Sequence, residues 1–184
     1  MAPRSSREHS RSRRRRASPD GIAVPATLLG VGLGGFLDGI VLHQILQWHH
    51  MVSATEGHAV TTVQGLEFNT LWDGFFHAVA YVFVLAGSIL LWNRLQGAGS
   101  VARSWREVLG WALIGWGLFN LLEGIVDHHL LGIHHVRSGP NQLAYDLGFL
   151  ALGALLSSAG WLLVSRSRVP DESPSHSFGR GDAG

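Results

Sequence analysis

Four stretches of the chain, 24–48, 71–92, 108–131 and 143–164, contain neither Lys nor Arg and are apolar apart from a few scattered polar residues. Each is long enough to cross a bilayer as a helix, which takes about 20 residues. Helices in water-soluble cores seldom run so far without a cationic residue, so the solvent expected for this chain is lipid. Hydrophobic residues make up 46% of the sequence and charged residues 15%, a balance that fits a membrane protein better than a soluble domain. The expected fold class is all-α: an integral membrane four-helix bundle.

Charge placement orients it. All fourteen cationic residues are arginine and seven of them lie in the first sixteen positions, so the net charge of +1 describes no actual surface. Arg94, Arg103 and Arg106 follow the second span, Arg166, Arg168 and Arg180 follow the fourth, and the remaining two loops hold only Arg137. By the positive-inside bias both termini are expected in the cytoplasm, with loops 49–70 and 132–142 outside. Trp48 and Trp72 then fall in an outer aromatic belt, and Trp92, Trp105, Trp111 and Trp161 in an inner one. A retained first helix rather than a signal peptide is expected, because the apolar run after the basic start is too long, contains Asp38 and offers no persuasive small-residue cleavage site. Residues 1–20 and 166–184, rich in Ser, Arg, Pro, Gly and Asp, are expected to be disordered tails flanking a transmembrane domain at 21–165. The arginine run serves to hold the N-terminus inside, and no nucleic-acid partner is expected.

The spans repeat. "DGIVLHQILQWHH" (38–50) and "EGIVDHHLLGIHH" (123–135) align at an offset of 85, matching Asp38 to Glu123, His43 to His128, His49 to His134 and His50 to His135. "NTLWDGFF" (69–76) and "NQLAYDLGF" (141–149) align more weakly, placing Asp73 on Asp146 and His77 on Leu150. Two tandem helical hairpins are therefore expected, related by a pseudo-twofold axis along the membrane normal, which brings the first and third helices together. The Gly30/Gly34 and Gly35/Gly39 pairs suit close helix packing in lipid.

Ionisable groups inside a membrane are costly and point to function. Nine of the eleven histidines belong to the outer half or the outer loops. His43, His77 and His128, from three helices, are the candidate metal ligands, with Asp73 and Asp127 as further ligands or as acceptors that orient the imidazoles. On α-helical spacing Glu123 and Asp127 share one face, and so do Asp73 and His77. Asp38, Glu123 and Asp146, with His49, His50, His129, His134 and His135, are expected to support the site or relay ions to it. His49, His50, His134 and His135 are placed at the outer interface. Ser53 and Glu56 have capping-box spacing, which suggests a short helix over the site.

The chain has no cysteine, which excludes disulfides, thiolate zinc, iron-sulfur clusters and c-type haem attachment. Imidazole and carboxylate ligands suit zinc, iron or copper(II), whereas two methionines do not make a copper(I) chaperone. The alternatives are a b-type haem held by two of the three deeper histidines, a proton relay through Asp38 and Glu123, and a purely structural polar network. No Gly-x-Ser-x-Gly elbow, phosphate loop or HExxH motif is present, so the reading leans away from an enzyme. The histidine spacings also depart from the boxes of membrane di-iron desaturases.

"GLGGFLDGIVLHQILQWHH", "LWDGFFH" and "GWGLFNLLEGIVDHHLLGIHHVR" resemble a bacterial family of small predicted membrane proteins catalogued as a domain of unknown function. The resemblance runs over about 21–165. It implies a multi-pass protein of the bacterial cytoplasmic membrane with four spans, and no activity, cofactor or site residue. The residues themselves lead to an outward-facing His/Asp/Glu centre used for metal handling or metalloenzyme assembly, its expected partners being the bilayer and a membrane metalloenzyme or a second copy of the chain.

Overall fold

The computed structural model describes residues 19–97 and 105–167. The two tails expected to be disordered lie, but for their inner edges, outside the described residues. After a 3₁₀ turn, Pro19–Ile22, helix α1 (Ala23–Asp38) runs into a π-helical turn, Gly39–Ile45. Helix α2 is Val63–Gly97; α3 (Trp105–Glu123) runs into a second π-turn, Gly124–Leu130; and α4 is Gln142–Ser167. No strand occurs among the described residues. All four helices are long and apolar enough to cross a membrane.

The burial pattern is that of a protein whose solvent is lipid. Val79, Val82, Ile89, Leu155 and Trp161 are more than half exposed, while Asp38, His43, Asn69, Asp73, Asn120, Glu123, His128 and Asp146 are buried. Water would reverse that distribution. The buried polar side chains gather at the end of the bundle that carries the α1–α2 and α3–α4 connections, called the loop end below.

Helix α1 packs on α2 and α3, and α3 packs on α4. The α1–α3 crossing is reciprocal, as the 85-residue repeat requires. A Cβ on Gly30 would run into the Ala112 carbonyl, and one on Gly115 into the Thr27 carbonyl. Glycine at these two equivalent positions lets the backbones touch, which fixes the pseudo-twofold axis and brings both π-turns to one place.

Each π-turn closes with matching bonds: Leu46 N–H to the Val41 carbonyl at 2.8 Å in one half, and Leu131 N–H to the Val126 carbonyl at 2.8 Å in the other. The chain then leaves through a left-handed residue, Gln47 at φ 49° and Gly132 at φ 59°, again 85 apart. That reversal sends both following segments back into the bundle. The capping-box helix is not formed, because Ser53 Oγ bonds the His50 carbonyl at 2.9 Å within a turn. Thr62 instead caps α2, accepting the Gly65 N–H at 3.0 Å, so α2 starts well before position 71.

Candidate metal centre

In an α-helix two residues five apart point about 140° away from each other. In a π-helix, with its i to i+5 bond, they come close to one face. The two π-turns therefore join Asp38 to His43 and Glu123 to His128, pairs that α-helical spacing separates. His43 Nε2 lies 3.2 Å from Asp38 Oδ2. The returning loops add His49 and His134, whose rings stack face to face at 4.7 Å with 10° between planes, across the pseudo-twofold axis. His43 and His49 lie 4.5 Å apart edge to face, and their counterparts His128 and His134 lie 4.8 Å apart.

Two ligand sets result. Asp38, His43, His49 and Glu123 form one; Glu123, His128 and His134 form the other; within each, one ligand atom per residue lies within 4.8 Å of all the rest. Glu123 is shared. All six residues are buried, His43 and His134 completely.

Polar partners outside the cluster hold the rings. His49 Nδ1–H donates to the Val136 carbonyl at 2.9 Å and His134 Nδ1–H to the Met51 carbonyl at 3.1 Å, so each half pins the other half's histidine. Burial, followed by the facing His134, pushes the His49 imidazole down to about 3. Burial, followed by His128 and His43, pushes His134 down to about 3 as well. Both rings are therefore neutral near pH 7, with the Nε2 lone pair turned inward. Asp73 accepts from His43 Nδ1 at 3.0 Å, from His50 Nδ1 and from the Met51 N–H at 3.0 Å. Asp146 does the corresponding work for the loop, accepting from His135 Nδ1 at 2.8 Å and the Val136 N–H at 2.9 Å, and approaches His128 Nδ1 at 3.5 Å without a hydrogen bond. Carboxylate or carbonyl partners on Nδ1 are what orient imidazoles toward a metal.

The inward atoms have no such partners. Both oxygens of Asp38 and of Glu123, and Nε2 of His43, His49, His128 and His134, are buried without a hydrogen bond. The contacts at 3.2 Å (His43–Asp38) and 3.5 Å (His134–Glu123) are close approaches without hydrogen-bond geometry.

The sequence candidates are distributed as follows. His43 and His128 sit in the cluster, and Asp38 and Glu123 are members of its ligand sets rather than supports around it. His49 and His134, expected at the interface, are 3% and 0% exposed, because the left-handed turns carry them inward. Asp73 and Asp146 stand behind the imidazoles, with His50 and His135 on their outer side. Three residues are not brought in. His77 bonds the Asp73 main-chain carbonyl at 2.7 Å and packs against Gly39. Asp127 is half-buried outside both sets, and His129 is exposed. Sequence reasoning missed the Met51 and Val136 carbonyls, which carry no side-chain signal. Their equivalence under the 85-residue offset is visible only once the loops are placed.

Four apolar helices wrapped around a buried histidine–carboxylate cluster define a multi-span helical membrane protein. The chain belongs to the family described as predicted membrane protein DUF2243, whose model matches residues 25–167. No curated protein and no solved structure gives a match.

Proposed function

We propose that this protein is a membrane metalloprotein holding two divalent transition-metal ions at the loop end of the bundle, with Glu123 shared between them. The observation that carries the reading is the set of eight inward, buried, unpartnered atoms on Asp38, Glu123, His43, His49, His128 and His134. Leaving a buried polar group unsatisfied costs about 1–3 kcal/mol, and more when it is charged. A purely structural network would pair these atoms with one another; coordination through one oxygen of Asp38, both of Glu123 and the four Nε2 atoms would satisfy seven of the eight.

Charge supports two ions rather than one. Asp38, Asp73, Glu123 and Asp146 are four buried carboxylates, and the arginine of the nearby 131–141 connection, Arg137, is exposed and lies over Trp48 at 5.2 Å instead of entering the cluster. Two divalent cations balance four carboxylates, while one leaves two charges uncompensated in low dielectric. Nitrogen and oxygen ligands suit zinc, iron or copper(II). Haem fits less well, since the histidines of the two halves stack ring on ring with no slot for a macrocycle between them. The enclosed, pinned ligands favour a resident centre over a transit site, whether the metal serves this protein or a membrane metalloenzyme it supplies. The arginine distribution supports cytoplasmic termini in a bacterial membrane, with the centre toward the outer face.

The test is elemental analysis with a visible spectrum on detergent-purified protein prepared without chelators, beside a His49→Ala/His134→Ala variant. About two equivalents of one transition metal, lost in a variant that still elutes as a folded monodisperse species, is the expected result. Absence of metal in the native protein overturns the proposal, and a Soret band assigns the histidines to haem.

A further inference from the structure

The two halves differ where a groove runs beside the centre. Two grooves are expected from the pseudo-twofold: one between α1 and α4 over α3, the other between α3 and α2 over α1. Between α1 and α4 a cavity of about 430 Å³ runs from Leu152 up to Trp48 and Tyr145, with Asp38 and Asn120 on its floor. That volume falls within the range of about 300–1,000 Å³ usual for small-molecule sites. Its lining includes Gly34, Gly148 and Asn120. Their counterparts in the other half, by the offsets of 85 and 73, are Phe119, Phe75 and Gly35. Gly148 thus faces open space where its counterpart is Phe75, whereas the space beside Gly34 is taken by Trp116 and Phe119, and only the open half has an amide.

The unpartnered side-chain atoms of the floor are of one kind. Asp38 is 6% exposed and Asn120 2%, and both carboxylate oxygens of Asp38 and the Asn120 Oδ1 are buried without a partner. All three are acceptors. The walls, including Leu37 and Leu152, are apolar and continue onto the exposed apolar surface of the bundle. A carboxylate that gives one oxygen to a metal keeps the other for a ligand.

We infer that this groove is a binding site for a lipid-phase molecule with an apolar body and a hydroxyl head, the head donating to Asp38 and Asn120 beside the metal centre. The inference rests on the metal reading only for what lies beyond the head. Asymmetry, volume and the unpartnered acceptors stand without it.

The experiment uses the full-length protein in detergent, with quenching of its tryptophan fluorescence by a terminally brominated long-chain alcohol and by the matching bromoalkane. Trp116 and Trp48 line the groove and report on its occupant. The expected result is saturable quenching by the alcohol at concentrations at least tenfold below those the alkane requires. Asn120→Leu should erase most of that preference. Gly148→Phe, which places in the open half the residue its counterpart carries, should abolish saturable quenching while leaving bound metal unchanged. A Cβ on Gly148 meets nothing within 4 Å, so the helix accepts the change and the ring enters the groove. Equal, unsaturable quenching by both probes, unaffected by Gly148→Phe, overturns the site. Saturable alcohol binding to a native protein without metal keeps the groove and removes the metal reading; two metals without alcohol preference do the opposite.

Discussion

Replacing Glu123 by Gln separates a metal site from a structural network, because the two readings give opposite signs for the metal-free protein. Glu123 is 5% exposed, and within its ligand set its nearest available oxygen lies within 4.8 Å of one on Asp38. Two ionised carboxylates at that distance repel by about 3.5 kcal/mol at an effective dielectric of 20. Relaxation of the two side chains reduces the net strain to about 1–3 kcal/mol, comparable to an unsatisfied buried polar group. The amide is nearly isosteric and uncharged, so Glu123→Gln relieves that strain without opening a cavity. With metal removed by chelator, the variant should melt higher than the native protein by roughly 3–10 °C, on the scale of about 2–4 °C per kcal/mol for a chain this size. The assay is differential scanning of tryptophan fluorescence in detergent with and without metal. With metal supplied, the order reverses, because the variant loses the ligand both sets share and the native protein gains the stability of a bound ion. A lower melting temperature for the metal-free variant, with the native protein indifferent to chelator, refutes the reasoning and makes Glu123 a structural residue.

Acid should destabilise the metal-free protein. His49 and His134 titrate at about 3 in the folded state against 6.5 for the free side chain. Between those values the unfolded chain binds more protons, so stability is intact above pH 6.5 and falls as pH drops toward 3, by about 1.4 kcal/mol per pH unit for each histidine; a melting temperature flat from pH 7 to 5 would contradict it. His77→Ala should keep the full metal complement, since His77 stands outside both ligand sets, whereas His49→Ala should lose at least one equivalent by elemental analysis. Gly132→Val forces a β-branched residue into φ 59° and should cost about 1–2 kcal/mol as well as bound metal, because it disturbs the reversal that delivers His134, while Gln47→Gly should be neutral or slightly stabilising. Gly30→Val should cost more than 3 kcal/mol, read as loss of monodisperse protein on size exclusion, because its side chain meets the Ala112 backbone rather than a movable side chain.

Hydropathy alone determined the helix count, since a run of about 20 apolar residues has few other stable fates. The 85-residue offset showed that two halves would meet and that Asp38, Glu123, His43 and His128 would be equivalent in pairs. These are properties of composition and order, so a linear reading reaches them. The ligand set itself was decided in three dimensions. α-helical spacing assigns Asp127 to the face of Glu123, but the π-turn at Gly124–Leu130 rotates His128 into that place and Asp127 out of it. Local propensity did not announce the extra residue per turn. His49 and His134 look like interfacial residues because they follow the apolar runs, and the left-handed Gln47 and Gly132 bury them. His77 shares the heptad logic of Asp73 but has Leu150 as its counterpart, and the twofold leaves it at the edge. Sequence thus determined which residues repeat; backbone geometry at two turns, acting over one or two residues each, decided which repeated atoms face one another.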